Sequence, residues 1–174
     1  MLATLTNQGR AAMAKAIAER VLHLAWGIGD PEWDTMNKED LPSLVNQTAL
    51  HAEIGRRVPS VVRFCTPDDN GSIVIPVSEN DGVVEKARYR FSDEPTPYLY
   101  IRADYDFEDA SNAIIREIAL FVDSKPLDSC PEGQLYFKPE ELEDKGMMFC
   151  AQILAKTINR SVSMRQSVEF VQPI

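Results

Sequence analysis

His51-Ala52-Glu53 has the H-x-E spacing with which zinc deaminases set a metal-binding imidazole beside a proton-shuttling carboxylate. That chemistry also needs a downstream P-C-x-x-C. Cys130 precedes a proline instead of following one, and neither Cys65 nor Cys150 has a cysteine three residues away, so two of the three protein ligands are missing. His51 therefore reads as an ordinary helix-surface histidine, and no metal site is expected.

His23 and His51 are the two histidines, so a nucleophile-histidine-acid triad has to use one of them. No G-x-S-x-G elbow or comparable serine context accompanies either. Cys65 and Cys150 lie within strand-like apolar patterns, where thiols pack and seldom react. Gly27-Ile28-Gly29 lacks the third glycine of a dinucleotide fingerprint, and Pro31-Glu32-Trp33 puts an acid where a phosphate would approach. The acidic run Asp104, Asp106, Glu108, Asp109 is out of register with a calcium loop and reads as a solvated strand face followed by a turn. The sequence thus predicts no catalytic residue, cofactor-binding residue or metal ligand, and no cofactor.

The aromatic and charged residues left over suit contact better than chemistry. Trp26 and Trp33 flank the glycine loop, and each is either a core anchor or the aromatic centre of an interface. The core suits Trp26 better, while Trp33, in an acidic loop with a proline, is the better exposed contact. Arg116 and Glu117 are neighbours in a strand-like run and so point to opposite faces. Each can make a charge-assisted bond to another segment of the fold or to another subunit.

These residues need a scaffold, and the 174-residue length suits one domain spanning residues 1–174. Eighteen basic against 27 acidic residues give a net charge of −9, which repels nucleic acid phosphates and anionic membranes alike. Three cysteines cannot all pair within one chain and read as reduced thiols. The N-terminus lacks a signal core, and no stretch approaches the roughly 18 apolar residues of a membrane span. A cytosolic protein is expected where it is made.

Thr6 can cap a helix starting near Asn7, with Met13, Ile17 and Val21 in one stripe beside Ala14 and Ala18. Alternation over residues 22–26 predicts a strand ended by Gly27, Gly29 and Pro31, and Leu41, Leu44, Val45, Thr48 and Ala52 predict a second helix from Asp40 to Ile54. From Val58 onward the period falls to two. Leu99, Ile101, Ala103, Tyr105 and Phe107 alternate with Arg102, Asp104 and Asp106, and Asp69-Asn70-Gly71 and Asn80-Asp81-Gly82 suit the tight turns of a meander. Residues 114–122 predict a strand covered on both faces, and the alternating segments 147–155 and 168–170 could close the fold as a hairpin. The predicted class is α+β: an N-terminal helix and a second helix packed on a mainly antiparallel β-sheet or sandwich.

Four segments in order carry a resemblance: L-T-N-Q-G at 5–9, A-W-G-I-G-D at 25–30, T-A-L-H-A-E-I-G-R-R at 48–57, and I-I-R-E-I-A-L-F at 114–121. Together they resemble the phage tail-collar or tail-fibre N-terminal domains and related small baseplate proteins of contractile tails. Ala119 stands where that family commonly has glycine. The resemblance implies a structural part of the virion tail, a baseplate protein or tail-fibre adaptor without enzymatic activity. Its implied partners are other baseplate or tail proteins in a symmetric, homo-oligomeric assembly; on the net charge, no nucleic acid and no membrane partner is expected. Trp26, Asp30, Trp33, Arg116 and Glu117 are the expected assembly residues.

Overall fold

The computed structural model describes residues 3–80 and 83–174. Thr6 caps the one α-helix among them, α1 (Asn7–Ala18), its hydroxyl accepting from the Gly9 amide at 3.1 Å. Of the expected apolar stripe, Ala14 is buried and Ile17 half-buried, while Met13 and Val21 are mostly open to solvent. So α1 rests on small side chains. The Arg10 guanidinium adds a hydrogen bond to the Ile174 carbonyl at 2.6 Å.

The remaining regular structure is mostly strand. In chain order these are β1 (Leu22–Gly27), β2 (Glu53–Arg57), β3 (Val61–Pro67), β4 (Ile73–Asn80), β5 (Val83–Phe91) and β6 (Tyr98–Tyr105). They are followed by β7 (Ile114–Val122), β8 (Lys125–Pro126), β9 (Tyr136–Phe137), β10 (Leu142–Asp144), β11 (Met147–Asn159) and β12 (Gln166–Pro173).

The expected α+β class with two helices is therefore corrected: the protein is mostly β, with antiparallel sheets and one α-helix among the described residues. Where the second helix was expected, a 3-10 turn at Lys38–Asp40 and an irregular stretch lead into β2. Pro42 forces Leu41 out of the helical region, to φ −64° and ψ 147°. Ser43, Asn46 and Thr48 are weak helix formers. Val45, meant to face a core, is 89% exposed, so that position adds no burial to offset the loss.

The residues cluster into two compact units. The first takes the chain up to Arg20, Ser60–Ala103 and Val168–Ile174. Its sheet has the order β12-β6-β3-β5-β4, so β5 lies between β3 and β4 and the expected simple meander is reordered. β3 changes partner along its length. Val61–Phe64 pair with β6 and Cys65–Pro67 with β5. Cys65, Ile73, Ile75 and Tyr100 form a buried cluster there. The turn at Asp68–Gly71 closes on the Asp68 carbonyl and side chain, while Asp81 and Gly82 of the other expected turn lie outside the described residues.

The second unit comprises Val21–Pro59 and Asp104–Ser167. Its sheet has the order β11-β7-β1-β2-β9, and β8 pairs with β10. β7 is interior, and every residue from Ile115 to Val122 is buried, as expected of a strand covered on both faces. Trp26 and Tyr105 stack at 3.3 Å between ring centroids, and the Tyr105 hydroxyl donates to the Leu24 carbonyl at 2.7 Å. Burying two such rings is worth roughly 1.5–3 kcal/mol each. The closing hairpin does not form: β11 pairs with β7, and β12 stands beside β6. Alternation reports which face a strand buries and is silent about its neighbour.

Candidate functional site

The two charges of β7 serve one loop. Arg116 grips Asp34 with a two-pronged contact, Nε to Oδ1 and Nη2 to Oδ2, both at 2.8 Å, and its Nη1 donates to the Ile28 carbonyl at 3.0 Å. These hydrogen bonds hold the Asp34 carboxyl below the ordinary carboxylate range. On the other side of the chain, Glu117 accepts the His51 amide at 3.0 Å and the Ala52 amide at 2.8 Å. Ala52 in turn accepts the Ile28 amide at 2.9 Å. The segment from Ile28 to Ala52 is thus fastened near its start by Arg116 and at its end by Glu117.

The glycines of A-W-G-I-G-D make room for this. A Cβ on Gly27 would stand 2.4 Å from a Glu117 carboxylate oxygen and 2.7 Å from the Ala52 carbonyl. Gly29 takes φ +56°, and a Cβ there would stand 2.4 Å from the Trp33 ring. Asp30 caps the 3-10 turn Pro31–Thr35, its Oδ1 accepting the Glu32 amide at 2.9 Å. Trp33, half-buried, lies against Gly29 and meets the His51 ring edge-on at 5.4 Å.

Asp30, Trp33, Arg116 and Glu117 therefore gather around one loop. Trp26 does not join them: it is fully buried against Tyr105, and its indole N–H donates to the Tyr136 hydroxyl at 3.3 Å. The H-x-E pair also separates. The His51 ring packs on Trp33, whereas the Glu53 carboxylate is taken by Arg56.

Arg56 is a residue that the sequence reading passed over. It is fully buried, donates to the Glu53 carboxylate and the Lys145 carbonyl, and lies 3.5 Å from the centroid of the Phe121 ring. Residues three apart in a regular strand face opposite ways, but β2 carries a bulge: Trp26 faces Gly55 while Gly27 faces Glu53, leaving Ile54 over. The bulge brings Glu53 and Arg56 to one side. The E-x-x-R spacing was the available signal.

His23 had been weighed as a triad histidine and set aside, but its partner Ser124 was missed. His23 Nδ1 and Ser124 Oγ lie 2.9 Å apart, both buried, and His23 is pushed down to about 4 by burial and then by the charge of Arg56. A general base has to become an imidazolium, and this setting opposes that ion. The pair is built for packing. Burial likewise pushes the Cys65 and Cys150 thiols up to about 11, which leaves little thiolate at neutral pH.

What the geometry organises is a shaped loop. Over residues 2–174, the sequence matches the family model described as baseplate wedge 3 tail fiber network component. The chain belongs to this family. It is thus a structural component of a bacteriophage baseplate, located in the virion tail. No curated protein matches the sequence. Within this baseplate wedge 3 tail fiber network component, three of the segments that carried the resemblance meet at the clamp: the glycines of 25–30, the amides of 48–57 and the charges of 114–121.

Proposed function

We propose that this baseplate component is a non-enzymatic adaptor of a contractile tail, joining neighbouring baseplate and tail-fibre subunits through rigid surface. The observation that carries this reading is the family match across residues 2–174. The docking element is the loop from Ile28 to Ala52. Arg116 and Glu117 hold its shape, Asp30 caps its ordered turn, Trp33 is the aromatic contact at that turn, and Trp26 anchors the strand leading into it. A loop fixed in advance loses less entropy when it docks than a floppy one.

The partners are other baseplate or tail proteins in a symmetric assembly of several copies, and the net charge of −9 disfavours nucleic acid and anionic membranes. Synthesis takes place in the host cytoplasm. The test is deletion of the gene with mass spectrometry of purified particles. The adaptor reading expects the chain in intact tails, and particles without it that lack ordered fibre attachment. Absence from intact tails would make it an assembly chaperone instead, and turnover of a metabolite by the purified monomer would defeat the structural reading.

A further inference from the structure

β11 is the last strand of its sheet: β7 pairs with one edge, and among the described residues no strand pairs with the other. Its two halves differ. Between Ile153, opposite Glu117, and Ile158, opposite Ile115, the strand carries three more residues than β7, so Leu154–Thr157 bulge from the ladder. Lys156 stands in that bulge. A bulge and a lysine are devices that keep an edge strand from pairing with other chains. The other half, Met147–Ile153, has no charged residue, proline or glycine, and one irregularity at Phe149. Met147 is 65% exposed there.

An open edge specifies its occupant more narrowly than an apolar face does. Backbone N–H and C=O groups repeating at strand pitch are matched by another extended backbone. A second copy is a poor occupant. Each copy carries a net charge of −9, and two identical edges pairing with each other close as a dimer, leaving that edge nothing with which to extend a network.

We propose that Met147–Ile153 of β11 is a strand-addition site, taking an extended, uncharged segment of a different baseplate or tail-fibre chain as the next strand of the sheet. This rests on the adaptor reading and gives it a second, separate contact. The added strand is about seven residues long and is aligned by the ladder, with the Lys156 bulge setting where pairing stops.

The test uses baseplates purified from the phage encoding this chain, with its gene deleted, incubated with the purified full chain and assayed for bound protein. Met147→Lys and Gln152→Lys place a charge at two exposed edge positions, so the melting temperature should be unchanged. The double variant is expected to bind about tenfold less than the wild type, and amides of 147–153 should gain exchange protection on binding in the wild type alone. Wild-type binding that the double variant retains would overturn the edge inference and leave the adaptor reading standing. Failure of the wild type itself to bind would count against the adaptor reading. A wild-type dimer that the double variant breaks would assign the edge to a second copy and overturn the partner proposed here.

Discussion

Arg116 and Glu117 are adjacent on β7, yet they fasten the two ends of the same loop. Arg116 holds Ile28 and Asp34, and Glu117 holds the amides of His51 and Ala52. Neighbouring strand residues point to opposite faces, so one dipeptide closes a long surface segment that has little regular structure of its own.

The two clamps differ in worth. Glu117 is 2% exposed and accepts two amides, so Glu117→Gln, which turns one acceptor into a donor facing an N–H, should cost about 2–3 kcal/mol. Asp34 has a side chain 40% exposed and its ion pair is screened by solvent, so Asp34→Asn should cost clearly less than Glu117→Gln. Denaturant unfolding measures both, and amide exchange at His51 and Ala52 should accelerate in Glu117→Gln. Equal costs for the two variants would contradict the clamp.

The tryptophans should part company in the same measurement. Trp26→Ala removes a fully buried ring stacked on Tyr105 and should cost about 3–5 kcal/mol. Trp33→Ala uncovers Gly29 and His51 but leaves the sheet core untouched, and should cost about 1–2 kcal/mol while reducing incorporation into baseplates. A loss from Trp33→Ala as large as from Trp26→Ala would assign Trp33 to the core.

His23 gives stability a pH dependence of known sign. The unfolded imidazole titrates near 6.5 and the folded one near 4, so between those values the unfolded chain binds a proton that the folded chain does not. This contribution is complete above about pH 6.5 and falls away toward pH 4, by up to about 3 kcal/mol. Thermal unfolding from pH 7 to 4.5 should show the slope in the wild type and a flatter one in His23→Gln. The same slope in both would remove His23 as its source.

Thiol labelling tests burial directly. Cys65 is fully buried and the Cys150 thiol is held in its protonated form, so both should react slowly with a thiol reagent at pH 8, after the half-exposed Cys130. Fast labelling of Cys65 in the folded protein would contradict the packing of its cluster with Ile73, Ile75 and Tyr100.

Local signals were legible in the residues, and partnerships were not. Thr6 and the alanines marked α1, and the all-apolar run around Arg116-Glu117 marked a doubly covered strand, because caps and apolar periodicity act within a few residues. The segment from Asp40 to Ile54 looked helical because its apolar spacing was read without its competitor. A carboxylate more than sixty positions away takes the amides at its end. The insertion of β5 between β3 and β4 and the separation of β11 from β12 are likewise set by contacts distant in sequence. At the site, the requirement that buried charges find partners was readable, but Asp34 and two backbone amides could not be named as those partners.

A density map of the intact tail tip would show whether the loop docks. This chain is expected in the baseplate, its loop from Ile28 to Ala52 in the clamped form and pressed against a neighbouring subunit. A map in which the chain is missing, or in which that loop faces solvent in every copy, would contradict it.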